Sequence, residues 1–209
     1  PENFLAYYEF DDIGRLSGEE GQRREGEAQR LPEGGSHLYQ PHAEDWKDGD
    51  PTWKGGKGRN IMGALSYLAS RGMNSVYFLT MNVGGDGKDV WPWTGYDERY
   101  RYDCSRLDQW EMVMSHMDSL GLSQHMALTE TENESLFEID EGLSGPDSFA
   151  DSRKLYYREI LARFGHHPAL VLNLGEENGW DNPDTAYGRA NTDQQRGQFA
   201  GWLEALDPY

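Results

Sequence analysis

Residues 106–129, RLDQWEMVMSHMDSLGLSQHMALT, decide the fold. Leu107, Trp110, Met114, Met117 and Leu120 recur at i, i+3, i+4 spacing and predict one apolar stripe on a helix over 106–120. Asp103 or Ser105 can cap its start, and Gly121 follows its end. Past that glycine, 122–129 is short and largely apolar and runs into the polar Glu130, which predicts a buried strand. A helix feeding directly into a buried strand is half of a βαβ unit.

The same pairing recurs on both sides. Strands are expected over 3–10 (NFLAYYEF), 75–83 (SVYFLTMNV) and 169–175 (ALVLNLG), and helices over 61–71, 152–164 and 192–206. The order is β-α-β-α-β-α-β-α, which implies a parallel sheet with crossover helices. Ser75, Leu122 and Ala169 open their strands about 47 residues apart, so eight such units need about 376 residues. The 209 residues hold four. The loop after Phe10 has no G-x-G-x-x-G, which removes the nucleotide fingerprint of a doubly wound sheet. The expectation is an α/β chain forming the N-terminal half, strands one to four with their helices, of a TIM (β/α)8 barrel over 1–209. Residues 11–60 would be a long active-site loop after its first strand. Such a half leaves open sheet edges, so its partner is expected to be the missing C-terminal half-barrel or a second copy.

Charge and composition exclude several functions. A net charge of −18, from 19 basic and 37 acidic residues, argues against nucleic acid and against an anionic membrane surface. No run approaches the roughly 18 apolar residues of a transmembrane helix. The single Cys104 excludes an internal disulfide framework and a cysteine-based zinc site. It stands at a helix start, without a partner base to make it a nucleophile. Seven Trp and twelve Tyr suit a protein that stacks on sugar rings. The chain opens at Pro1 without an initiator Met or signal peptide, so it is expected to start inside a longer precursor.

Ligands in parallel β/α folds lie beyond the C-terminal strand ends. Asn82, Trp91 and Trp93 follow the second strand, Glu130, Glu132 and Glu134 the third, and Glu176, Glu177, Asn178 and Trp180 the fourth. Glycoside hydrolysis needs two carboxyl groups, one donating a proton to the leaving oxygen. Asn82, Glu130 and Asn178 are expected to bind hydroxyls, and Trp91, Trp93 and Trp180 to stack on pyranose faces. Glu176 and Glu177 are the catalytic candidates. Alternation along a strand sends only one of the two into the barrel mouth.

His166-His167-Pro168 lies at the opposite face and reads as a structural turn. There is no His-x-His or His-x-x-x-His spacing, so no metal and no cofactor is expected.

The segment Asn173-Leu174-Gly175-Glu176-Glu177-Asn178 resembles the acid/base segment of the large (β/α)8 glycoside hydrolase clan, where Asn-Glu ends the fourth strand. Laid onto that pattern, Glu177 falls on the proton donor and Glu176 replaces the preceding Asn. With 2–11 and 74–86, it is also similar to bacterial multidomain proteins in which a β-sandwich of the DUF5060 type precedes a glycoside-hydrolase-like barrel. That resemblance implies a secreted or surface protein degrading an extracellular polysaccharide. It also implies a retaining mechanism whose nucleophile ends the seventh strand, so these residues alone would be inactive. A barrel that binds glycans or serves as a scaffold without catalysis is the rival reading.

Overall fold

The structure, a computed structural model, describes residues 39–53, 55–83, 90–183 and 185–207. The expected strand over 3–10, most of the loop over 11–60 and the Gly-rich 84–89 lie outside the described residues.

A 3-10 helix, Gln40–Asp45, leads into α1 (Arg59–Ser70). Gly63 lets the two touch, since a Cβ there would run into the carbonyl of His42. Strand β1 (Ser75–Leu79) follows, then α2 (Cys104–Ser119) and β2 (Ser123–Ala127). After them come α3 (Leu136–Asp140), α4 (Asp151–Phe164), β3 (Leu170–Asn173) and α5 (Asp193–Leu206). Three strands and four of the five helices stand where the hydrophobic periodicity puts them, within two residues at most helix ends.

Local chemistry accounts for the boundaries. Asp103 caps α2, its carboxylate accepting the N–H of Arg106 at 3.1 Å. Gly121, at φ 70°, ends it in the left-handed conformation that glycine takes without cost. A capping box, in which Thr192 and Gln195 satisfy each other's backbone N–H, starts α5. Helix α4 lacks a side-chain cap of its own; Glu141 instead accepts the N–H groups of Asp151 (3.0 Å) and Ser152 (2.8 Å). Its negative charge also suits the positive end of the helix dipole.

The sheet order is β1-β2-β3, parallel throughout, with Ser75 opposite Ser123 and Gln124 opposite Leu170. Of the four strands expected, three are described, and they lie side by side in chain order. Sequential order is the unit of a barrel, and also of one wing of a doubly wound sheet. Phe78, Leu79, Met126 and Ala127 are buried, whereas Val171 of β3 is exposed. The expected apolar stripe holds: Leu107, Trp110, Met114 and Met117 are sealed, and Leu120 packs partly buried at the end. Among the described residues no helix is long and apolar enough to cross a membrane.

Candidate functional site

Hydrogen bonds continue past the named strands and bring their C-terminal ends together. The N–H of Thr80 donates to the carbonyl of Ala127 (3.1 Å), that of Leu128 to Asn173 (2.9 Å) and that of Glu176 to Thr129 (2.9 Å). The last of these makes a parallel bridge between Glu130 and Glu176, so two carboxylate residues stand on neighbouring chain ends. A clamp below holds the rim: Tyr156 Oη lies 2.6 Å from Thr80 Oγ1 and donates to the carbonyl of Leu128. Full burial pushes the Tyr156 phenol well above its ordinary pKa, so it stays protonated in that role.

Glu176 is half-buried beside Glu130, while Glu177 is exposed and has φ 48°. A non-glycine residue in the left-handed region is unusual and costs energy, and such outliers gather at functional sites. The backbone turn separates the two adjacent carboxylates. Asn178 is half-buried and lies so close to Gly175 that a Cβ there would occupy its amide. Trp180 is 51 % exposed.

Four expected sugar contacts are corrected. Trp91 and Trp93 are 1 % and 0 % exposed and belong to the core. Trp93 packs against Phe137 and Tyr156, each ring centroid 5.8 Å away, with Arg99 over its face. The guanidinium of Arg106 covers Trp91 and donates to its carbonyl at 2.8 Å. Arginine planes stack readily on indoles, so the faces a sugar would use are occupied by the protein itself. Asn82 is sealed, its N–H donating to the carbonyl of Val90. Glu130 is 4 % exposed and accepts the amide of Asn133 at 2.8 Å. Neither side chain is open to a ligand. Residues 90–93 of the segment after β1 pack inward, where the sequence has them line a cleft.

Glu134 is the residue whose role the sequence does not disclose. Fully buried, it accepts the N–H of Gly179 (3.0 Å) and of Asn191 (2.8 Å), with Arg196 Nη1 at 3.4 Å. Asn182 donates to Glu132 at 3.3 Å. The loop after β3 is therefore moored to the loop after β2 on both sides of Trp180. Every moored partner lies more than 40 residues away in sequence, beyond the reach of any local pattern.

No protein-family profile matches the chain, and a comparison with curated proteins finds no match. Among solved structures it is similar to a glycoside hydrolase family 5 protein from Bacteroides vulgatus ATCC 8482, with 14 % identity over 72 % of this chain and a TM-score of 0.45. It is also similar to a "putative glycoside hydrolase" from the same organism, with 15 % identity over 69 % of this chain and a TM-score of 0.52. The chain spans 30 % and 29 % of their respective lengths. The second likeness shows the fold alone: a mixed α/β arrangement with a parallel sheet, of the kind that structure has.

Proposed function

We propose that the complete protein hydrolyses glycosidic bonds of an extracellular polysaccharide, with the carboxyl of Glu177, or failing it Glu176, as proton donor. One observation carries this reading. Two adjacent carboxylates stand at the C-terminal edge of a parallel sheet, and a left-handed backbone turn presents one of them to solvent. The glycoside-hydrolase-like fold supports it. In the proposed reaction the carboxylic acid protonates the departing glycosidic oxygen as the C–O bond breaks, and a second carboxylate takes up the anomeric carbon; water, losing its proton to the first carboxylate, then attacks that carbon and releases the sugar. That second group is assigned to the seventh strand of the barrel, in line with a retaining mechanism. Trp180, 51 % exposed, is the stacking platform, and Asn178 a hydroxyl partner.

The test is turnover by the complete natural protein on a panel of polysaccharides, followed by Glu177→Gln and Glu176→Gln. Loss of a general acid lowers the rate about 10²–10⁴-fold on poor leaving groups and less on activated aryl glycosides, which need no proton. Glycan binding without any turnover would favour the scaffold reading.

A further inference from the structure

We propose that Glu111, His166 and His167 form a zinc site at the face opposite the carboxylate rim. His167 is sealed in the turn before β3, and its two ring nitrogens both meet carboxylates. Nδ1 lies 2.6 Å from Asp118 Oδ2, and Nε2 lies 3.2 Å from Glu111 Oε2. His166 Nε2 lies 3.4 Å from the other oxygen of Glu111. All three candidate ligand atoms fall within 4.8 Å of one another.

Ionised carboxylates only accept hydrogen bonds, and a neutral imidazole has a single N–H. With Nδ1–H directed at Asp118, the Nε2 lone pair of His167 meets the Glu111 carboxylate acceptor to acceptor, a contact that a proton or a metal ion between them resolves. The surroundings favour the metal. Asp118 is itself held, its Oδ1 accepting the amide of Gln124 at 2.9 Å, so it fixes the proton on His167 Nδ1. That leaves the Nε2 lone pair aimed at Glu111, which is the carboxylate–histidine–metal arrangement of zinc proteins. Distances agree as well. Four ligands at about 2.0–2.1 Å from zinc stand roughly 3.3–3.4 Å apart along the edges of the tetrahedron. The two oxygen–nitrogen separations run to different oxygens of Glu111, at 3.4 and 3.2 Å, and each is close to that edge, so a small rotation of the carboxylate would let one oxygen serve both histidines. Glu111 and His166 are reachable from solvent, so an ion has an entry path and water can fill the fourth position. Two nitrogens and one carboxylate suit zinc better than calcium or magnesium. The ion would tie the middle of α2 to the turn that starts β3. No spacing motif announces the site, because the histidines are adjacent and the third ligand lies 55 residues before them.

The complete natural protein, stripped with chelator and then dialysed against zinc chloride, is compared with the Glu111→Gln/His166→Ala double variant by elemental analysis. Both substitutions sit at solvent-reachable positions, and circular dichroism checks that folding is retained. The wild type is expected to hold one more zinc per chain than the double variant. Cobalt substitution should add the strong visible absorption of a four-coordinate ion in the wild type alone. Asp118→Asn should weaken zinc binding about 10–100-fold by loosening His167. Equal zinc content in wild type and double variant, or no bound metal in either, overturns the proposal and leaves a hydrogen-bonded histidine–carboxylate cluster.

Discussion

The carboxylate of Glu134, sealed from solvent, accepts the backbone N–H of Gly179 at 3.0 Å, two residues beyond Glu177. A charged acceptor in the interior thus sets where the loop carrying the proposed proton donor ends. Hydrogen bonds to charged groups contribute about 1.5–3 kcal/mol each, and a buried carboxylate needs several to compensate its desolvation. Glu134→Gln keeps the volume but turns an amide NH2 toward N–H donors. The Gly179 and Asn191 amides should then lose most of their protection in hydrogen exchange, while amides within β1 and β2 keep theirs.

Trp93 and Trp180 should separate cleanly. Trp93→Ala removes a fully buried indole and is expected to cost about 3–5 kcal/mol of stability in urea unfolding. Trp180→Ala should leave stability within about 0.5 kcal/mol, as exposed sites do. Under the proposed function it weakens oligosaccharide binding by roughly 1–3 kcal/mol, as loss of a stacked aromatic does. Equal oligosaccharide affinity in wild type and Trp180→Ala would remove that residue from the binding surface.

The contrast between these two tryptophans shows what the sequence can and cannot disclose. Periodicity is a local property, so α2 and α4, and β1 to β3 in parallel order, are legible from Leu107, Trp110, Met114 and their counterparts. Helix α3 is not, because five residues (LFEID) are too few to display a period. The carboxylates are legible as a cluster after strand ends, since loop position follows from strand position. Whether a rim tryptophan faces in or out depends on Arg99 and Arg106, which fold back over Trp93 and Trp91. Nothing in Trp-Pro-Trp itself reports that. Burial of Glu134 is likewise decided by Asn191 and Arg196, far along the chain.

Glu98 supplies a pH dependence. The backbone N–H of Tyr100, the Arg101 side chain and the N–H of Arg99 all hydrogen-bond to its carboxylate and lower its pKa from 4.5 to about 2. A depressed carboxylate stabilises the fold only while ionised. Its contribution is complete above the unfolded value near 4.5 and disappears as pH falls through about 2. Carboxyl-carbon NMR should show Glu98 titrating at the low end of that window. Glu98→Gln should flatten the acid limb of stability between those two pH values. A titration near the ordinary glutamate value would show that the three donors do not hold it.

Arg153 and Glu138 meet at 2.6 Å with neither side chain exposed. Burial disfavours the Arg153 charge, but Tyr157 and Glu138 outweigh it and raise the guanidinium pKa. Removing one partner strands the other. Glu138→Gln is therefore expected to cost about 3–5 kcal/mol, whereas Glu138→Leu with Arg153→Met should cost less than that single change. Urea titration of the two variants decides it, and a double variant weaker than the single would show that the pair is worth more than an apolar replacement.

The backbone at Glu177 permits a test in which stability and activity move in opposite directions. At φ 48° an L-residue pays a steric cost of roughly 1–2 kcal/mol that glycine avoids. Glycine also loses more chain entropy on folding, so the net gain from Glu177→Gly should be about 0–1 kcal/mol, read from the midpoint of urea unfolding. The same substitution removes the proposed proton donor and should lower turnover of unactivated glycosides about 10²–10⁴-fold in the complete protein. Glu177→Gln, which keeps both the backbone cost and the side-chain volume, should lose as much activity with no gain in stability. If Glu177→Gly is as active as the wild type while Glu176→Gln is not, the donor is the carboxylate beside Glu130. The left-handed turn then serves to set Glu176 in place.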